Sequence, residues 1–210
     1  MPARCWPAIP IIVPDPAGQR LVLASASPRR RLLLAQIGVP HRVVPADIDE
    51  SRRDGEDVAD CVLRLAQQKA QQVFARLGEP SLPVLGADTA VVLDGDMLGK
   101  PRDREHALGM LSRLSGREHV VISAVALVRH GSASWRLSRS VVRFRQLTPA
   151  DCAAYWETGE PIDKAGAYAI QGLGAVFVQA LQGSYSGVMG LPLFETAALL
   201  TAAAVPMWQA

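Results

Sequence analysis

The sequence predicts an α/β fold in which one mixed, elongated sheet is flanked by helices. Three observations lead to this prediction. Strand and helix signals alternate as β-α-β-α over the first half of the chain, an order typical of parallel strands joined by helices. The second half holds longer strands joined by short turns, as in antiparallel hairpins. No internal repeat and no linker divides the 210 residues, so we expect two lobes that share one sheet.

The first half begins with a short apolar run, Leu21–Ala24, which is typical of a buried strand. Ser27 and Pro28 then mark a helix start, because serine is a favoured N-cap and proline is favoured at the first helical position. A second strand is predicted over 41–45. The polar, acidic stretch 47–60 follows it and leads into a long helix whose apolar residues recur at helical spacing.

The second half is predicted to be richer in hairpins. Asp94 and Gly95 form a dipeptide that favours a tight turn between two strands. The elements predicted are a strand over 82–86, a hairpin over 91–98, a helix over 103–114, strands over 119–128 and 135–144, a helix over 148–158, strands over 167–170 and 176–181, and a closing helix from about Pro192.

Composition places the chain among folded globular proteins and limits its partners. Hydrophobic residues make up 49% and charged residues 20%, which excludes disorder, collagen and coiled coil as overall descriptions. The net charge of +2 gives no overall field that would hold long nucleic acid or an anionic membrane, so any anion must be bound by a local cluster. No segment approaches 18 uninterrupted apolar residues, so no membrane span is expected.

Residues 1–19 are predicted to be a proline-rich extension that precedes a single domain over residues 20–205. The extension is not expected to be a signal peptide, because prolines interrupt its apolar stretch, Ile11–Val13, and no clean hydrophobic run follows a basic segment. Cys5, Cys61 and Cys152 lie far apart in the sequence and match neither a disulfide framework nor a zinc-binding spacing. A reducing, cytoplasmic location is therefore expected.

Three arginines, Arg29, Arg30 and Arg31, occupy the first turn of the first predicted helix. The helix dipole disfavours cations at this end, so the cluster indicates that a negative group binds there. Free backbone N–H groups and guanidinium groups together form a phosphate site. The alternative is that the arginines simply extend into solvent.

Asp88 follows an apolar strand, in the run Gly86-Ala87-Asp88-Thr89, where open α/β sheets place ligand-binding groups. It is a candidate metal ligand or general base, and the alternative is a turn aspartate bonded to its own backbone. The acidic loop 47–50 adds carboxylates that, with substrate phosphate oxygens, suit a cation such as Mg²⁺. For this loop the alternative is solvated surface.

Two lysines and a glycine-rich segment complete the candidates. Lys69 lies on the long helix and Lys100 in a Gly-Lys-Pro turn, and either could be an ordinary surface residue. The segment 163–174 lets the backbone approach a ligand closely, and its Gln171 offers a donor and an acceptor to a base edge. The alternative is a set of tight turns. The sequence lacks the motifs of P-loop hydrolases, Rossmann dehydrogenases, zincins and serine esterases.

Seven short motifs, taken in their order along the chain, resemble those of the Maf family of nucleoside triphosphate pyrophosphatases. The motifs are Leu23-Ala24-Ser25-x-Ser27-Pro28-Arg29-Arg30, Leu65-Ala66-x-x-Lys69-Ala70, Gly86-Ala87-Asp88-Thr89, Gly99-Lys100-Pro101, Leu114-Ser115-Gly116, Asp163-Lys164-Ala165-Gly166-Ala167-Tyr168-x-Ile170-Gln171-Gly172 and Gly183-Ser184-Tyr185 with Gly190-Leu191-Pro192. The resemblance implies two lobes around a central nucleotide-binding cleft, as in Maf and ITPase-like proteins. It also implies hydrolysis between the α and β phosphates, a divalent metal cation (Mg²⁺ or Mn²⁺) and a homodimer.

The resemblance also implies roles for individual residues. Asp88 resembles the proton acceptor of the family and, with Glu50, would bind the metal. The residues expected to bind phosphate are Ser25, Arg29, Arg30, Lys69 and Lys100. Arg29, Thr89 and Gln171 resemble the specificity residues of the dTTP/UTP subgroup. Two alternatives stay open: a 7-methyl-GTP pyrophosphatase of the same family, and a nucleotide-binding regulator of septum formation without turnover.

Overall fold

The structure, a computed structural model, describes residues 18–78 and 81–208. Its strands form one seven-stranded sheet: β1 (Leu21–Leu23), β2 (His41–Val43), β3 (Val84–Leu93), β4 (Asp96–Leu98), β5 (Glu118–Arg129), β6 (Ser132–Phe144) and β7 (Val178–Gln182). The strand order is β2-β1-β3-β5-β6-β7, with β4 paired to β3. Pairing is parallel among β2, β1 and β3 and antiparallel elsewhere. The predicted mixed sheet is therefore confirmed.

Six α-helices flank the sheet: α1 (Pro28–Gln36), α2 (Val58–Arg76), α3 (Arg104–Leu114), α4 (Pro149–Glu157), α5 (Tyr185–Met189) and α6 (Leu193–Ala202), as far as the described residues go. Most begin where their capping residues predict. Ser27 and Thr148 are N-caps followed by proline, and Thr148 forms a complete capping box with Asp151. The side chain of Asp103 accepts a hydrogen bond from the backbone N–H of His106 at the start of α3.

The helices cover both faces of the sheet. On one face, α2 packs against small residues of the central strands, among them Ala90, Ala124 and Ala126. On the other face, leucines of α1 and α6 pack on β1, β3 and β5 to form one apolar cluster. A second cluster on that side gathers α3, α4 and the ends of β5 and β6 around Phe144. Apolar clusters thus lie on both faces of one sheet, and the expected division into two lobes stays a prediction.

The prediction of a strand ending just before Asp88 is wrong. Val84 to Leu93 form one ten-residue strand, and Asp88 lies in its middle. Gly86 lies within this strand and leaves room for α2 to pack closely against it. A Cβ at this position would lie 2.2 Å from the Ala66 carbonyl oxygen of α2. The predicted hairpin at Asp94 and Gly95 is confirmed by the antiparallel pairing of β3 with β4.

The strand predicted over 167–170 is also wrong. Gly166 and Ala167 both have positive φ angles, of 68° and 58°, so the chain turns instead of extending. Short 3₁₀ helices occupy Glu160–Asp163, Ala165–Ala167 and Leu173–Phe177. The sequence interpretation also missed α5, which is only five residues long.

Separate expectations apply to the N-terminal extension and the cysteines. Most of the proline-rich extension, residues 1–17, lies outside the described residues, and Cys5 is among them. Cys61 and Cys152 are buried free thiols, in agreement with the absence of a predicted disulfide between them. Over the ranges described, the helices include none that combines the length and the apolar character needed to cross a membrane.

Candidate active site

The centre of the site is a lysine held between two carboxylates. The Lys69 ammonium lies 2.7 Å from Glu50 Oε1 and 2.7 Å from Asp88 Oδ1. The Lys69 and Asp88 side chains are only 8% and 14% exposed, whereas that of Glu50 is 58% exposed. The centre is therefore protected on the side of the sheet and open on the side of the acidic loop.

Close packing of α2 on β3 produces this contact. Gly86 and Asp88 face the same side of β3, because side chains two residues apart in a strand point the same way. Gly86 lets α2 approach through Ala66 and Ala70. Lys69 lies between those two alanines in the sequence, so the same approach brings its ammonium to Asp88.

Arg30 forms the wall next to this centre. Its Nε donates to the carbonyl of Gly190 at 2.8 Å, and its Nη1 donates to Ser25 Oγ at 3.0 Å. Burial lowers the pKa of the Arg30 guanidinium, and the negative charges of Asp88 and Glu50 partly offset that effect. Arg30 is therefore held in place with its charge directed to the carboxylates, while Arg31 is exposed.

Arg29 extends toward a different part of the molecule. Burial lowers the pKa of its guanidinium, and the charges of Asp163 and Glu160 act in the opposite direction. Its Nε is buried and has no hydrogen-bond partner within the described ranges. The two neighbouring arginines thus lie near different carboxylates: Arg30 is influenced by Asp88 and Glu50, and Arg29 by Asp163 and Glu160.

Thr89 lies on the opposite face of β3 from Asp88. Its hydroxyl is 2.8 Å from Ser123 Oγ, which donates to the carbonyl of Gly187 in α5. A Cβ added at Gly190 would lie 3.7 Å from both Thr89 Oγ1 and Arg30 Nε. Thr89 therefore connects β3 to the turn whose Gly190 carbonyl binds Arg30. A role of Thr89 in substrate specificity stays a prediction.

Lys100 and Gln171 lie outside the helices and strands. Both side chains are exposed. The Gly99 carbonyl accepts a hydrogen bond from Gly166 N at 3.0 Å, which ties the Lys100 loop to the glycine-rich segment. Ser25, in contrast, is buried, and its hydroxyl is already occupied by Arg30 and by the backbone N–H of Ser27.

The charges in the cleft act on one another. Partial burial is the largest influence on Glu50 and acts to raise its pKa, but it is outweighed. The hydrogen bond from Lys69 and the positive charges of Lys69, Lys100 and Arg30 together lower the pKa of Glu50. This carboxyl is therefore ionised at neutral pH and available as a hard oxygen ligand.

The structure thus brings Glu50, Lys69, Asp88 and Arg30 together, as the sequence interpretation expects. Their assigned roles stay predictions. The interpretation missed Glu160 and Tyr155, which hold the Gln171 turn: the Tyr155 hydroxyl donates to Glu160 Oε1 at 2.6 Å. Glu160 stands between Gly159 and Pro161, a setting that signals only a turn.

Comparison with known proteins gives consistent matches. The model of the Maf-like protein family matches residues 20–203. A dTTP/UTP pyrophosphatase from Saccharophagus degradans is 53% identical over 191 residues, covering 90% of this chain and 91% of the relative. A dTTP/UTP pyrophosphatase from Hahella chejuensis is 50% identical over 195 residues, covering 92% of this chain and 97% of the relative.

Among solved structures, a nucleoside-triphosphatase / dITP/XTP pyrophosphatase from Mycobacterium abscessus is 19% identical, with a TM-score of 0.40. The match covers 89% of this chain and 99% of that chain. The family match spans nearly the whole described chain, and about half of all aligned residues are identical to those of the two relatives. The chain belongs to the Maf-like protein family.

Proposed function

We propose that this protein hydrolyses dTTP and UTP to the corresponding monophosphate and pyrophosphate. The observation that carries the proposal is the Lys69 ammonium placed 2.7 Å from both Glu50 and Asp88, beside Arg30. Cations and carboxylates so arranged suit a polyphosphate and a hard metal ion together. The relatives that carry the name dTTP/UTP pyrophosphatase support the choice of substrate.

A divalent cation, Mg²⁺ or Mn²⁺, fits the residues present. Glu50 and Asp88 converge on one ammonium, so their oxygens lie where one cation can meet both. The described residues contain no group of three or more His, Cys, Asp and Glu side chains that could hold a metal. Two carboxylates with substrate phosphates are a common Mg²⁺ environment. The cation would neutralise charge on the polyphosphate.

Residues of the chain would then accept the proton and bind the phosphate groups. Asp88, protected from solvent, accepts a proton from the attacking water. The water oxygen bonds to the α-phosphorus, the bond to the bridging oxygen breaks, and pyrophosphate leaves. Lys69, displaced from the carboxylates, and Arg30 hold the phosphate oxygens as negative charge develops. Lys100 extends from its loop toward the same charges.

The base would be recognised at the other end of the cleft. Gln171 offers an amide donor and acceptor to the uracil edge, and Arg29 lies near the turn that bears it. A 5-methyl group adds bulk without changing that edge, so dTTP and UTP are accepted alike. A cytoplasmic location stays a prediction from the cysteine pattern, and a homodimer and a link to septum formation stay predictions from the family resemblance.

The test is pyrophosphate release with Mg²⁺ or Mn²⁺ from dTTP, UTP, CTP, ATP, GTP and 7-methyl-GTP. We expect dTTP and UTP to be preferred, and Asp88→Asn to lower turnover at least about a thousandfold. Asp96→Asn is the matched control, since Asp96 is exposed and pairs only with Arg113 in the part described. Preference for 7-methyl-GTP would refute the specificity, and binding without turnover would indicate a regulator.

A further inference from the structure

The turn that carries Gln171 is held by side chains from other parts of the chain. It runs from Ala169 to Gly174 and is closed by a hydrogen bond from Gly172 N to the Ala169 carbonyl at 3.2 Å. The Gln171 side chain is exposed. The place of its amide therefore depends on what holds the backbone on either side.

Glu160 holds the turn on the C-terminal side. Its Oε2 accepts from Leu173 N and its Oε1 from Gly174 N, both at 2.9 Å. These are the first two N–H groups of the 3₁₀ helix Leu173–Phe177, whose N-cap is Gly172. Glycine has no side chain for capping, so a carboxylate twelve residues earlier takes that role.

Tyr155 holds the turn on the N-terminal side. Its hydroxyl accepts from Ala169 N at 3.1 Å and donates to Glu160 Oε1 at 2.6 Å. The ring is buried on α4 and packs edge-on against Phe177, with ring centroids 4.9 Å apart. One tyrosine–glutamate pair thus binds the backbone before and after Gln171, and the core anchors that pair.

The glycines of the turn make this arrangement possible. A Cβ at Gly172 would lie 2.1 Å from Glu160 Oε2, and one at Gly174 would lie 2.6 Å from the Tyr155 hydroxyl. Neither position has room for a side chain while the pair is in place. The charge of the Glu160 carboxylate also raises the pKa of the Arg29 guanidinium, against the larger lowering by burial.

We infer that Glu160, together with Tyr155, is a positioning residue for base selection: it places the Gln171 amide against the base. The inference rests on the proposed function, in which Gln171 reads the uracil edge. On a loose turn the glutamine amide could adapt to the hydrogen-bonding edge of either pyrimidine base, whereas on a fixed turn it favours one hydrogen-bonding pattern. Glu160 itself does not contact the reacting phosphates.

The experiment compares kcat/KM for UTP and CTP, which have bases of equal size and different hydrogen-bonding edges. The variants are Glu160→Gln, Tyr155→Phe, Gln171→Ala and the double variant Glu160→Gln/Gln171→Ala. Glu157→Gln is the matched control, because Glu157 is exposed and its ion pair with Arg104, at 3.5 Å, is exposed as well. We expect Glu160→Gln and Tyr155→Phe to lower the UTP:CTP ratio about tenfold, the loss of one hydrogen bond or more.

A positioning role also requires that the double variant lose no more selectivity than Gln171→Ala alone. An unchanged ratio in Glu160→Gln and Tyr155→Phe, while Gln171→Ala lowers it, would overturn the inference and leave the proposed function intact. Equal losses on both nucleotides would assign Glu160 a merely structural role. An unchanged UTP:CTP ratio in Gln171→Ala would also overturn the inference, because Gln171 would then not select the base. Absence of UTP hydrolysis in the unsubstituted protein would refute the proposed function first, and the inference with it.

Discussion

Lys69 is a buried cation whose stability in the fold depends on its partners. A lysine ammonium taken out of water loses much hydration energy unless carboxylates compensate it. Asp88 and Glu50 both do so at 2.7 Å. The same arrangement suits the proposed phosphate site, because an ammonium held by one exposed and one buried carboxylate can be reached from the side of the acidic loop.

Arg30 and Arg31 allow a matched test of the phosphate site. Arg30→Lys removes a guanidinium that bonds both Gly190 and Ser25, so we expect kcat/KM for UTP to fall roughly tenfold to a hundredfold. Arg31→Lys, at the exposed neighbouring position, is expected to change it less than about twofold. Steady-state kinetics checks both values, and equal losses in the two variants would contradict the assignment.

At this scale the sequence predicted residue types better than their contacts. Lys69, Asp88 and Arg30 could be named from motifs, but the ordering of Arg30 by the Gly190 carbonyl, 160 residues away, has no local signal. Glu160 escaped notice for the same reason. Its proposed positioning role depends on two backbone N–H groups that only the folded turn brings to it.

Among the elements, the contact between α2 and β3 is the one that assembles the site. It joins a helix bearing Lys69 to a strand bearing Asp88, and its closeness depends on Gly86. The alternation of strands and helices predicted both elements. It did not predict that the strand continues through Asp88, because glycine in a strand usually signals a bulge or a bend.

Gly86→Ala is expected to damage stability and activity together. The new Cβ would lie 2.2 Å from the Ala66 carbonyl and 2.8 Å from Ala70 N, so α2 must move away from β3. We expect a loss of about 1–3 kcal/mol in the free energy of unfolding, measured with urea, and a clear fall in kcat. Gly109→Ala, with nothing within 4 Å of the added Cβ on α3, is expected to gain roughly 0.5–1 kcal/mol. A neutral Gly86→Ala variant would show that close packing is not what holds Lys69.

At the scale of the whole molecule, a buried histidine links the stability of the fold to pH. The core around Phe144 includes His119, which is 2% exposed and lies 2.8 Å from the Tyr168 hydroxyl through Nε2. Burial lowers the pKa of His119 from 6.5 to about 4. Below pH 6.5, His119 binds a proton in the unfolded chain but not in the folded protein. The free energy of unfolding therefore falls as the pH drops toward 4.

The contribution of His119 can be isolated by substitution. A shift of this size corresponds to about 3 kcal/mol lost between neutral pH and pH 4. We expect His119→Gln to lower stability at pH 7 but to weaken its dependence on pH by about that amount, measured by urea unfolding. His130→Gln, on an exposed turn, is expected to keep the full dependence. An unchanged dependence in His119→Gln would mean that other groups titrate instead.

In the proposed mechanism, the centre formed by Glu50, Lys69 and Asp88 directs water to the α-phosphorus of a pyrimidine nucleoside triphosphate. The most direct measurement is hydrolysis of UTP in water enriched in oxygen-18, followed by mass spectrometry of both products. This mechanism predicts UMP that carries one labelled oxygen and pyrophosphate that carries none. Label in the pyrophosphate, or UDP and phosphate as products, would contradict it.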